Sequence, residues 1–340
     1  MMMMSYLIYI LPFFFTFFYL FKSTQPTTTT NPPPSPPKLP IIGNLHQLGP
    51  LIHRSFSSLS QRYGGGHLML LHLGSAPSLV VSSAAAAQEI MQTHDLIFST
   101  RPPIQMHKTL FYDLKEIAAA PYGEYWRQAK KLIILNFLSS KKVQTFSRVR
   151  EEEIAITISK VAKISESNKA VNLGDLLFEF SNGVSCRATF GKKYDKESGK
   201  KLKRVVSKMF EILPHFFYAD LIPQLAWIDQ ISGANGKVEA VAKDVDEFME
   251  VAIEERLAGR KQTDDHEVGE GVEPFIDALL RIQKDGVDGI SFNRDNVKAL
   301  LLDSYVGATE TSSSVLEWVM AELLTHPQAL EKVQAEVNDT

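Results

Sequence analysis

Residues 291–327 read SFNRDNVKALLLDSYVGATETSSSVLEWVMAELLTHP. The Asn293 side-chain oxygen can cap a helix start, and His326-Pro327 marks its stop. The span between them predicts a helix of about 30 residues, roughly 48 Å long. Asp303, Glu310, Glu317 and Glu322 interrupt it, so it is too charged to cross a bilayer. At 100° per residue, Leu301, Leu302, Tyr305, Leu316, Val319, Met320 and Leu323 gather on one side. Gly307, Glu310, Thr311 and Ser314 gather on the other, with Leu300 and Trp318 at either end of that line. Pattern alone favours an amphipathic helix with its polar side in water. That side, however, carries small residues and hydroxyls where solvated faces carry Lys and Glu. Gly307 also costs about 1 kcal/mol against Ala in mid-helix. A helix accepts such residues more readily where something must lie against its backbone.

The composition bounds the rest. The 340 residues are 44% hydrophobic and 22% charged, which is globular and large enough for one large or two medium domains. A net charge of −3 gives no electrostatic case for nucleic acid. The single cysteine, Cys186, excludes a disulfide framework. A reactive Cys186 is conceivable, but a small buried apolar residue is the better reading. The nine histidines show no paired ligand spacing, and His67 and His72 fall on opposite faces of a strand.

Residues 1–21 carry no charge and just meet the length of a membrane span. They have neither the positive start nor the small-residue cleavage site of a signal peptide. Lys22 and Lys38 follow, which places the next domain on the cytoplasmic side. Residues 25–40, ending in NPPPSPPKLP, form a semi-rigid proline-rich linker. A helix is expected over 53–63, then strands over 67–73 and 78–81 around a Gly74-Ser75-Ala76-Pro77 turn. Ser82 or Ser83 caps a short helix through Gln92. PYGEYWRQAKKL, residues 121–132, places Trp126 and Lys130 one helical turn apart. On its own this is a basic surface helix with one buried Trp. Helices follow over 143–163, 171–190, 238–260 and 274–284, with an aromatic-rich stretch around 214–227 and a polar loop over 261–271.

Val306-Gly307-Ala308-Thr309-Glu310-Thr311 resembles the oxygen-activation motif in the long central helix of cytochrome P-450 haem-thiolate monooxygenases. PPPSPPKLPIIGN resembles their proline-rich hinge, and PYGEYWRQAKKL and LIPQLAWID resemble the plant microsomal A-type group. The resemblance implies a mainly α cytochrome P-450 fold, incomplete, with a small N-terminal β part. It divides the chain into a transmembrane anchor over 1–24, a hinge over 25–44 and the N-terminal part of the catalytic domain over 45–340. It further implies haem, with Trp126 and Lys130 engaging its propionates and Gly307 and Ala308 leaving room over the ring. Thr311 would hydrogen-bond the oxygen and Glu310 would relay protons. Leu300, Ser304, Phe217 and Ile222 would line the substrate pocket, for which the loop 104–120 and the stretches 214–223 and 300–308 are the candidates. NADPH electrons through a membrane reductase, a small apolar plant metabolite as substrate and an endoplasmic reticulum location complete the implied picture.

The later family segments (Glu-x-x-Arg, Pro-x-Arg-Phe and the loop bearing the iron's cysteine) do not occur in these 340 residues. No residue here is assigned as the axial ligand, Cys186 included. The chain therefore reads as the N-terminal portion of such an enzyme. A truncated, membrane-tethered fragment without turnover is the alternative.

Overall fold

The computed structural model describes residues 32–339 except 168, 195, 260–271 and 287–290. The expected anchor, the first part of the linker and the expected polar loop lie outside them. Among the described residues no helix is long and apolar enough to cross a membrane. The chain divides into two compact units. One is Met1–Phe98 with Phe216–Ser232, and the other is Ser99–His215 with Gly233–Thr340.

In the first unit, α1 (Ile52–Tyr63) leads into a two-stranded antiparallel sheet, β1 (Leu68–Leu73) and β2 (Ala76–Val81). The register pairs Leu68 with Val81 and Leu73 with Ala76, so the turn is the two residues Gly74-Ser75. This is tighter than the four-residue turn expected. Pro77 is accommodated because a two-stranded sheet has only edge strands. Gly74 adopts φ +64° and lies so close to the Leu221 carbonyl that an added Cβ would be 2.3 Å from it. The end of the proline-rich linker is docked on this sheet. Pro34 O accepts from Leu70 N at 2.8 Å, and the buried Asn44 side chain accepts from His72 N at 2.8 Å. Ser83 caps Ala84–Gln88, which widens into a π-helical turn over Glu89–Thr93. Buried Asp229 accepts from the Tyr218 and Ala219 amides, and Ser75 N donates to Leu221 O at 2.7 Å. These bonds fix the segment carrying Phe217 and Ile222, both buried.

The second unit is helical: α2 (Gln105–Leu110), α3 (Glu124–Ile133), α4 (Ser147–Glu166), α5 (Leu173–Phe190), α6 (Lys196–Ile212), α7 (Ala234–Gly259), α8 (Phe275–Asp285), α9 (Arg294–Thr325) and α10 (Pro327–Asn338). The helix expected over 143–163 is broken at buried Phe146 into a short Ser140–Thr145 turn and α4. Neither α6 nor α10 was anticipated. α6 turns Leu202, Val205, Val206 and Met209 inward at helical spacing.

The 32-residue α9 starts as expected. The Asn293 side chain accepts from Asp295 N and Asn296 N, and Asn296 Oδ1 accepts from Asn293 N at 2.8 Å, a reciprocal capping box. α9 packs most extensively against α5 and also meets α7 and α8. Arg294 and buried Lys298 reach Asp246, Glu250 and Glu254 on α7 at 2.5–2.7 Å. Paired cations tolerate such burial where lone ones do not. Tyr305, Phe190 and Phe248 form an aromatic knot between α9, α5 and α7.

The expected division of α9 into an apolar buried side and an open side needs correction. Leu300, Leu301, Leu302, Tyr305 and Thr309 are all buried, whereas Val319 is 48% exposed and Val315 and Trp318 more so. Over its first half, neighbours lie on more than one flank and bury residues irrespective of the projected line. Among the described residues the second half has fewer such neighbours, so its apolar positions are left open.

Candidate active site

Gly307, Glu310 and Thr311 occupy the exposed flank of α9. A Cβ built on Gly307 would meet nothing within 4 Å, so this glycine opens space beside the helix. One turn on, the exposed Thr311 hydroxyl donates to the Gly307 carbonyl at 2.5 Å. The Glu310 side chain is half-buried and makes no ion pair among the described residues. Ser304, three residues before Gly307, has a buried hydroxyl with no hydrogen-bond partner among the described residues. A buried polar atom without a partner is uncommon and marks a place where another group can be received.

Hydroxyls crowd the carbonyls of this stretch. Thr309 Oγ1 donates to Tyr305 O at 2.8 Å and Ser313 Oγ to Glu310 O at 3.0 Å. From α5, the buried Ser181 hydroxyl reaches Ala308 O and Thr309 O at 3.2 and 2.8 Å. Side-chain hydroxyls bonded to helix carbonyls bend a helix locally.

On α3, Lys130 Nζ lies 4.5 Å from the centroid of the Trp126 ring. This confirms the one-turn spacing and makes a cation–π pair. Lys130 is exposed and has no carboxylate partner among the described residues. The indole N–H of Trp126 donates to Ile117 O at 3.0 Å. An indole has one donor only, and here Trp126 gives it to Ile117 O. The ammonium of Lys130 is carried on the Trp126 ring.

The stretch expected as a loop over 104–120 contains α2, and its remainder, 111–120, supplies polar groups that the sequence did not single out. Tyr112, Asp113 and Leu114 all sit in the left-handed region, at φ 52°, 59° and 62°. Ile117 N donates to Asp303 Oδ2 of α9 at 3.2 Å. Glu116 is fully buried, and one of its oxygens accepts from Ala119 N at 2.7 Å while the other has no partner. Burial pushes the Glu116 carboxyl up to about 7, aided by the nearby Asp303 and opposed by the Ala119 amide and Arg101. Burial also raises Asp303, opposed by the Ile117 amide and Arg101. A carboxyl in mid-helix beside a buried apolar run was the available signal.

These residues fit one face of a haem. The open Gly307 flank, the Ser304 and Thr311 hydroxyls and the Lys130 ammonium suit a flat apolar ring with acidic edge groups. They include no ligand for its iron. Cys186 is wholly buried, its thiol donates to Asn182 Oδ1 at 3.4 Å, and burial pushes it up to about 12, so it stays protonated. The four expected pocket residues divide between the units. Leu300 and Ser304 lie on α9 of the second, and Phe217 and Ile222 lie in the first. Leu300, Phe217 and Ile222 are buried. No group of three or more metal-binding side chains occurs among the described residues.

The chain matches the model of the cytochrome P450 family over residues 33–340. Cytochrome P450 71A26 of Arabidopsis thaliana is 43% identical over 302 residues, covering 89% of this chain and 59% of that protein. Cytochrome P450 736A117 of Prunus mume is 43% identical over 307 residues, covering 89% and 58%. A desmethylyatein synthase of Sinopodophyllum hexandrum is 41% identical over 304 residues, covering 89% and 59%. The chain thus spans less than two thirds of the length of these relatives. Among solved structures, a zebrafish cytochrome P450 with progesterone superposes with a TM-score of 0.67 at 24% identity, covering 84% of this chain and 64% of that one. Another, with abiraterone, gives 0.64 at 25% identity, covering 84% and 62%. With a family match along nearly its whole described length and relatives above 40% identity, the chain belongs to the cytochrome P450 family.

Proposed function

We propose that this chain forms the oxygen-handling part of a haem-dependent monooxygenase that hydroxylates a small apolar plant metabolite. The observation that carries the reading is the open flank at Gly307 with the Thr311 hydroxyl one turn away. Haem, when bound, supplies the iron at which dioxygen is reduced and cleaved, helped by electron density from a thiolate ligand. Gly307 and Ala308 leave room beside the helix. Thr311 offers a hydroxyl that donates to its own helix carbonyl at rest and can turn outward. Glu310 hands on protons as a general acid. Lys130 pairs with a propionate, a charge-assisted bond. Leu300 and Ser304 of α9 contribute to the substrate pocket.

Electrons come from NADPH through a membrane reductase. Residues 1–24 anchor the chain in the endoplasmic reticulum with the catalytic domain in the cytosol, because residues 1–21 carry no charge and no cleavage signal. Alkaline carbonate should leave the chain in the membrane pellet and release it once residues 1–24 are removed. A processed, lumenal form would overturn the anchor.

The decisive experiment for the activity is turnover of the full-length protein with reductase and NADPH. A panel of terpenoids, phenylpropanoids and alkaloids should yield at least one product carrying one added oxygen. Full haem loading with NADPH oxidation but no product from any member would sink the substrate class. No haem binding at all would sink the reading. Cys186→Ser should leave the haem spectrum unchanged.

A further inference from the structure

We propose that Asp303 is a positioning residue for the Trp126–Lys130 pair, acting through the peptide of Ile117. The Ile117 amide donates to Asp303 Oδ2 at 3.2 Å, and the carbonyl of the same residue accepts from the Trp126 indole at 3.0 Å. One residue of a loop is therefore held by the central helix on one side and holds the ring that carries Lys130 on the other.

The loop needs such a hold. Three successive non-glycine residues, Tyr112, Asp113 and Leu114, have positive φ, a conformation that persists only where surrounding bonds over-determine it. Five bonds supply that determination in its first half. Asp113 N donates to Lys108 O and Lys115 N to Phe111 O, at 2.8 and 3.0 Å. Lys115 Nζ pairs with Asp295 of α9 at 2.7 Å. The Tyr125 hydroxyl donates to Lys115 O and accepts from Asn296 Nδ2 at 3.0 Å. In the middle, buried Glu116 takes the Ala119 amide and Asp303 takes the Ile117 amide. An amide turned away from water requires an acceptor, and for the part-buried Ile117 amide that acceptor is Asp303. Without it the peptide can rotate, and the Ile117 carbonyl leaves the Trp126 indole with it.

An acceptor oxygen is what the Ile117 amide needs, and Asn supplies one where Ala does not. The test compares the full-length protein with Asp303→Ala, Asp303→Asn and Trp126→Phe by amide deuterium exchange and by the rate of haem loss. Asp303→Ala should speed exchange across residues 115–120 at least tenfold, and Asp303→Asn should restore it to within about threefold of the wild type. Trp126→Phe, which removes the indole donor downstream of the loop, should leave that exchange unchanged. Wild-type exchange in Asp303→Ala overturns the proposal, as does equal loosening by Ala and Asn. Loosening by Trp126→Phe as large as that by Asp303→Ala reverses the direction of positioning and also overturns it. If Asp303→Ala does not fold, the wild type decides. Protection of the Ile117 amide supports the proposal, and exchange at the rate of an unstructured peptide refutes it. The consequence for haem rests on the function proposed above. Faster exchange with unchanged haem loss upholds the positioning and removes Lys130 from the cofactor site.

Discussion

The hydroxyl of Ser181, in the middle of α5, lies 2.8 Å from the carbonyl oxygen of Thr309 on α9. It is 4% exposed and bonds a carbonyl inside the stretch that carries the oxygen-handling residues. Thr309, Thr311 and Ser313 add their own hydroxyls to the carbonyls of Tyr305, Gly307 and Glu310. The buried Thr309 side of α9 is therefore tied to α5 by a hydrogen bond as well as by packing.

Ser181→Ala should lower stability by about 1 kcal/mol, the usual net value of one hydrogen bond. It removes a donor and leaves the carbonyls of Ala308 and Thr309 with their own helical environment. Ser181→Val adds volume in a packed seam and should cost more. Urea denaturation of the variants measures both. A Val variant as stable as wild type would show that the hydroxyl contributes nothing.

Glu116 makes stability depend on pH in a stated direction. Its folded carboxyl holds a proton up to about 7 because it is buried, with Asp303 raising it further and the Ala119 and Ala118 amides and Arg101 lowering it. Its ordinary value is 4.5, so between the two the folded state binds more protons than the unfolded state. This contribution is complete below pH about 4.5 and is lost as pH rises through about 7. Asp303, also raised, acts in the same sense. The unfolding free energy should fall between pH 5 and 8 by on the order of 3 kcal/mol at most from Glu116, read from denaturation curves across that range. Glu116→Gln should flatten that slope, and an unchanged slope would rule Glu116 out as its source.

Lys130→Ala in the full-length protein should weaken haem retention by roughly 1.5–3 kcal/mol, the value of a hydrogen bond to a charged group. Lys130→Arg should keep most of it. Haem content after dialysis reads the effect. Equal retention in all three proteins would return this helix to a basic surface element.

Thr311→Ala should leave NADPH consumption running while more hydrogen peroxide is released per product formed. Thr311→Ser keeps the hydroxyl and should be milder. Glu310→Gln should slow turnover by disturbing proton delivery. A packing role predicts another order: nearly isosteric Thr311→Val would then be harmless and Thr311→Ser harmful. The ratio of peroxide to product separates the two.

Features set by neighbouring residues were legible without a fold. The start of α9 follows from Asn293, and its end from His326-Pro327. Ser83 caps its helix through a bond to Ala86, and Trp126 meets Lys130 because both lie on one helical turn. The buried nature of Cys186 was readable from residue type, since a free cysteine behaves as a small hydrophobe. In each case the partners lie within a turn of chain, so local geometry alone brings them together. The pairing of β1 with β2 was legible too, although its register, and hence the shorter turn, was not.

Tertiary structure decided what depends on distant partners. Ile117 and Asp303 are 186 residues apart in the chain and Ser181 and Thr309 are 128 apart, so no window of sequence contains either pair. The burial of Leu300 and the exposure of Val319 on one helix depend on which neighbours lie alongside, and periodicity records only the helix's own repeat. The indole of Trp126 turned to Ile117 because that carbonyl was presented to it by a loop held from the central helix. Sequence determined which helices and turns exist and the order of the chemical groups along them. Their mutual bonds, and so the groups left free to meet a cofactor, were decided only when the distant elements packed.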